Sequence, residues 1–182
     1  MGEKLAFQKK NGQKIAGKAY FAGVDKKYPT VIFAHGFGSN YRDLEHHGAG
    51  FAESGINCIF FDFCGGGLKS LSDGKMTQMT VLTEAEDLTE VISQVQQMEN
   101  EKTLAGKGVK AEDLDYVMFK VSKLVDDKTT FEKAAEKYLK ENPRFTAGNS
   151  YRMTSSSGGN SNGSGGNINA SINDAIRAAA RR

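Results

Sequence analysis

The apolar positions of this chain change their spacing partway along it. Residues 3–8 and 14–22 read as short strands around Asn11-Gly12, a dipeptide that favours a type I′ hairpin turn. Thr30 to His35 (TVIFAH), after Pro29, is a continuous apolar run, the pattern of a strand buried on both faces. Ile56 to Phe63 (INCIFFDF) is a second such run. Between them Arg42 to Ser54 can form a helix stopped at Gly55, and Val81 to Gln97 is the clearest helix. Its Val81, Ala85, Leu88, Ile92 and Val95 are expected on one face, with Thr83 and Glu86 at capping-box spacing. A hairpin followed by strand, helix, strand, loop and helix is the opening of an α/β sheet.

The strand signals then stop. Glu112 to Val125 and Thr130 to Asn142 read as helices, the second with Thr129 and Glu132 at capping-box spacing and Pro143 past its end. Residues 147–167 are Gly, Ser and Asn almost throughout, a composition that buries no core and suits a flexible linker. Helical periodicity returns through Ile168, Ile172 and Ile176 and finishes at Arg181-Arg182. The expected organisation is therefore an incomplete α/β sheet unit over 1–100, a helical segment over 101–146, a linker over 147–167 and a basic helix over 168–182.

Charge and composition narrow the function classes. The net charge of the 182 residues is only +2, which argues against a nucleic-acid partner on bulk charge. The first hundred residues carry 10 Lys or Arg against 12 Asp or Glu, the remainder 14 against 10. No apolar run is long enough to cross a membrane, and MGEKLAFQKK has neither the apolar core of a secretory signal nor the Ser or Thr that myristoylation needs where Ala6 stands. Cys58 and Cys64 lie six residues apart on an expected strand, roughly 20 Å at the strand rise. That is too far for a disulfide, and two thiols fit a cytoplasmic chain. No Cys or His spacing suggests zinc, and no cofactor is expected.

The chemistry of the first segment centres on His35-Gly36-Phe37-Gly38, directly after a strand. A strand ending in a tight glycine turn presents backbone N–H groups that can stabilise an oxyanion in acyl transfer. After the second strand comes Cys64-Gly65-Gly66-Gly67. The strings VIFAHGFGSNYRD, FFDFCGGGLKSLSDG and MTVLTEAEDL, in this order and spacing, resemble the α/β-hydrolase superfamily, most of all bacterial cinnamoyl or feruloyl esterases and related serine esterases. The likeness covers residues 1 to about 97. It implies that the Phe37 N–H, with His35, Gly36 and Gly38 around it, forms half of an oxyanion hole, and that the substrate is a small acyl ester.

The resemblance also implies a G-x-S-x-G elbow, then an Asp and a late His. Gly159-Asn160-Ser161-Asn162-Gly163 matches the elbow literally, but it lies in the linker, without a preceding strand. Ser72 also lacks one. No His follows His47, so the order Ser, Asp, His is incomplete. His46 and His47 read as a solvated pair, Asp62 as a strand-end carboxylate bonding loop amides, and Glu84, Glu86, Asp87 and Glu90 as a solvated helix face. The expectation is a serine ester hydrolase fragment that is inactive alone, needing another chain to complete it.

Residues 103–182 carry a different likeness. GVKAEDLDY, KLVDDKTTFEKAAEKYLKENP, the low-complexity linker and INDAIRAAARR are similar to the C-terminal part of phage capsid scaffolding proteins. Residues 142–182 hold five Arg against the single acid Asp174. The alternative function implied is therefore a phage scaffolding or minor structural protein whose final helix, through Arg177, Arg181 and Arg182, docks on coat protein.

Overall fold

The computed structural model describes residues 2–23 and 26–146. The fold is α/β: a four-stranded mixed sheet in the order β1-β2-β4-β3 with helices around it. β1 (Glu3–Gln8) and β2 (Lys14–Tyr20) pair antiparallel, β2 pairs antiparallel with β4 (Asn57–Phe61), and β4 pairs parallel with β3 (Thr30–Ala34). The hairpin turn is not type I′. Lys9 N–H donates to Gln13 O at 2.8 Å and Gly12 N–H to Lys9 O at 2.9 Å, so three residues lie between Lys9 and Gln13. Gly12, last of the three, has φ 87°, the three-residue hairpin with a left-handed closing residue.

The two apolar runs have different fates. β4 is central and almost wholly buried. On one face Ile59 and Phe61 pack with Phe7, Ile15, Ala19, Val91 and Val95; on the other Cys58 and Phe60 pack with Tyr41. β3 has the same composition but is an edge strand, and Val31 is 39% exposed. The expectation of burial on both faces fails there because, among the described residues, β3 has a neighbouring strand on one side only.

The expected helix over 42–54 is instead two short 3-10 turns, Tyr41–Asp43 and Glu45–His47, followed by α1 (Gly48–Glu53), with positive φ at Gly55 as its stop. α2 (Val81–Gly106) runs past the expected helix end at Gln97 and across the expected boundary at residue 100. Its cap is Thr80, with Thr83 completing the capping box, rather than Thr83 with Glu86. The buried stripe is accordingly Asp87, Val91, Val95 and Leu104, while Val81 (79%) and Ile92 (46%) face solvent.

α3 (Leu114–Ser122) and α4 (Phe131–Glu141) pack on the end of α2 around Leu104, Val117, Val121, Ala134, Ala135, Leu139 and Phe145. α4 begins after Thr130, with no side-chain cap from Thr129 or Glu132. The expected linker over 147–167 and final helix over 168–182, with Arg177, Arg181 and Arg182, lie outside the described residues.

Candidate active site

The loops that follow the two parallel strands meet at one end of the sheet. β3 ends at Ala34, and the chain turns through Gly36–Ser39, closed by Ser39 N–H donating to Gly36 O at 3.1 Å. Gly38 has φ 76° at the third position of this turn, the type II pattern, which favours Gly there. Phe37 occupies the second position and is 71% exposed. Its backbone N–H has no acceptor among the described residues. Beyond the turn Ser39 Oγ donates to Asp43 at 2.5 Å; this bond and the Asn40 amide hold the Asp43 carboxyl below the usual carboxylate range.

His35 is buried under the turn. Its Nε2 accepts the Phe63 N–H at 3.1 Å, and its Nδ1 lies 2.9 Å from Gly36 O. An amide N–H can only donate, so Nε2 is bare and Nδ1 carries the proton that Gly36 O accepts. Both ring nitrogens are thus engaged with backbone. Nε2 also stands 3.8 Å from Asp62 Oδ1, with no proton between them. His35 ties the β3 turn to the β4 loop and is not a free base.

Asp62, at the end of β4 and buried, performs the role its position suggested. Oδ1 accepts the Tyr41 N–H at 2.7 Å and Oδ2 the Leu71 N–H at 2.8 Å. Ser72 completes the anchorage: its Oγ donates to Asp62 O at 2.6 Å and accepts the Ala16 N–H at 2.8 Å. These bonds spend the hydroxyl on structure. Gly65, with φ 78°, brings the loop so close that a Cβ would sit 2.6 Å from Lys75 O.

Asp87 is the residue that the sequence reading misplaced. It is fully buried rather than solvated: Oδ2 accepts the Cys64 N–H at 2.7 Å, and Oδ1 pairs with Lys9 Nζ. Burial alone would lower the Lys9 pKa, but the hydrogen bond and charge of Asp87 outweigh it and raise it. Burial, with Asp87 beside it, pushes the Cys64 thiol up to about 11, and burial also raises Cys58. Neither thiol is a thiolate nucleophile near neutral pH. The missed signal was phase: Asp87 stands four residues before Val91, on the buried side of α2.

His46 and His47 are exposed, their ring centroids 3.8 Å apart and the planes tilted by 43°. The Gly159–Gly163 match lies outside the described residues. Among the described residues no cluster of three or more His, Cys, Asp or Glu could hold a metal. No described helix is long and apolar enough to cross a membrane. Chemically, the braced turn presents one unengaged backbone N–H, that of Phe37.

No protein-family model matches the chain, and neither does any curated protein. Three solved structures similar to it are an esterase from Exiguobacterium antarcticum, a Butyrivibrio proteoclasticus protein with ferulic acid bound, and a highly thermostable carboxyl esterase from Bacillus coagulans with glycerol. The first is 28% identical over 52% of this chain and 32% of its own, with a TM-score of 0.42. The second is 22% identical over 50% and 36%, with a TM-score of 0.41. The third is 18% identical over 77% and 55%, with a TM-score of 0.43. The chain therefore spans about a third to a half of the length of these structures.

Proposed function

We propose that residues 2–100 are the oxyanion side of a serine ester hydrolase, and that this chain alone does not turn over esters. The observation that carries the reading is the Phe37 N–H, left without an acceptor on a type II turn directly after β3 and braced from below by His35. The HGFG and CGGG strings support it through their likeness to serine esterases. The missing function is the nucleophile and its base: His35 is engaged at both nitrogens, Ser72 is locked into the loop, and no His follows His47. A strand, an elbow and a late His from outside these 182 residues would have to complete the site.

Phe37→Pro tests the assignment, because proline suits the second position of a type II turn and removes the N–H, with Phe37→Ala as the control for the lost ring. The purified chain is expected to leave p-nitrophenyl butyrate unhydrolysed. Co-expressed with a segment carrying strand, elbow and His, it is expected to gain turnover that Phe37→Pro lowers about 10²-fold, the usual effect of losing one oxyanion donor. Turnover by the chain alone, or a complemented enzyme indifferent to Phe37→Pro, overturns the reading.

A second reading concerns residues 103–182, as a coat-protein docking module of the phage scaffolding type. The observation favouring it is that α3 and the turn after it expose Tyr116, Phe119, Leu124 and Val125 while Val117 and Val121 fill a separate small core. Its test is co-sedimentation of the full chain with capsid protein, expected to be lost on deletion of 168–182; retention after the deletion contradicts it.

A further inference from the structure

The two edges of the sheet are guarded differently. β1 is outermost on one side and carries Glu3 and Lys4, with Lys9 and Lys10 just beyond, the charged edge that discourages pairing with another strand. β3 is outermost on the other side. Thr30-Val31-Ile32-Phe33-Ala34 has no charge, no proline and unbroken register with β4. The bond from Asn57 N–H to Pro29 O sets the phase of the parallel ladder, so residues 29, 31 and 33 bond inward. Thr30, Ile32 and Ala34 therefore turn their N–H and C=O groups out of the sheet.

We infer that β3 is the pairing edge for a second copy of this chain, joined antiparallel about a two-fold axis at Ile32. In that register Ile32 exchanges both bonds with its symmetry mate, and Thr30 and Ala34 exchange theirs with the mate's Ala34 and Thr30. Every outward donor and acceptor of both strands is used. Val31 falls opposite the mate's Phe33 in a non-hydrogen-bonded pair, where a β-branched and an aromatic side chain pack favourably. On that face Phe33 already stacks on Phe60 at 4.7 Å and meets Phe51 at 5.6 Å, so the contact extends an existing apolar cluster. A copy matches this uncharged five-residue edge along its whole length and covers the exposed Val31 with the mate's Phe33, so the occupant is a second copy. It also closes: the resulting eight-stranded sheet ends on both sides in a charged β1, so assembly stops at two.

The inference stands apart from the catalytic reading, although a segment completing the sheet for catalysis would compete for the same edge. The test is sedimentation equilibrium of the full chain with two variants. Ala34→Pro deletes an outward N–H, and Val31→Lys places a charge on the edge; neither touches the inward ladder or a filled core. The wild type is expected at twice the chain mass of 19.7 kDa, with both variants at the single mass and an unchanged far-UV circular dichroism spectrum. A wild-type monomer at tens of micromolar, open-ended aggregates, or a dimer that both variants leave intact overturns it.

Discussion

The interior between Phe7 and Val95 and the interior between Leu104 and Phe145 are built on different terms. The sheet region buries large rings and branched chains, and it also buries His35, Asn40, Asp62 and Asp87. The helical region is filled by Leu, Val, Ala and one Phe, and its described residues bury no polar or charged side chain. The difference follows from what each region has to hold. Two loops leave the same end of the sheet with unpaired amides, and the buried Asp62 carboxylate accepts one from each, the Tyr41 and Leu71 N–H groups. α3 and α4 pair the backbone of their middle turns within the helix, so the faces they bury need only apolar contact. The region with the candidate chemistry is thus the one whose stability rests on specific polar partners.

The comparison is broken most directly at those partners. Asp62→Ala orphans the Tyr41 and Leu71 amides and is expected to cost about 3 kcal/mol in a denaturant titration. Asp115→Ala, on the exposed surface of α3, is expected to change stability by less than about 0.5 kcal/mol. Equal effects at the two sites would erase the distinction. Leu104→Ala probes the apolar region and is expected to cost about 2.5 kcal/mol through lost burial and the cavity left behind.

An effect confined to alkaline pH comes from Cys64. Its thiol keeps its proton up to about 11 in the folded chain, against an ordinary value of 9.0. Above pH 9 the unfolded chain therefore releases a proton that the folded chain retains, so stability falls as pH rises from 9 towards 11 and is untouched below 9. Denaturant midpoints at pH 8 and pH 10.5 are expected to differ more for the wild type than for Cys64→Ala. An identical pH dependence in the two proteins would contradict the burial of that thiol.

Much of this was legible in the residues. INCIFFDF declared a buried strand because both faces of it are apolar, and Asp62 declared its role because a carboxylate at a strand end meets loop amides. TVIFAH looked the same, but burial of a strand depends on its neighbours, and composition cannot show that β3 has only one. In α2 the exposed Val81 and Ile92 pulled the expected stripe out of phase, which concealed Asp87 among the solvated acids. The hairpin was foreseen while its turn was not, since Asn-Gly serves two-residue and three-residue loops alike. Of the site, His35–Gly38 was found from sequence; the double engagement of His35 needed coordinates.

Under the proposed function the chain presents an oxyanion turn but no activated nucleophile. Intact-mass spectrometry after incubation with a fluorophosphonate, which labels only activated serines, tests it most directly. An unmodified chain mass is expected after hours with excess reagent, at pH 7 to 8. A stoichiometric single adduct, mapped to Ser72, Ser161 or any other serine of the folded chain and lost on heating before treatment, would contradict it.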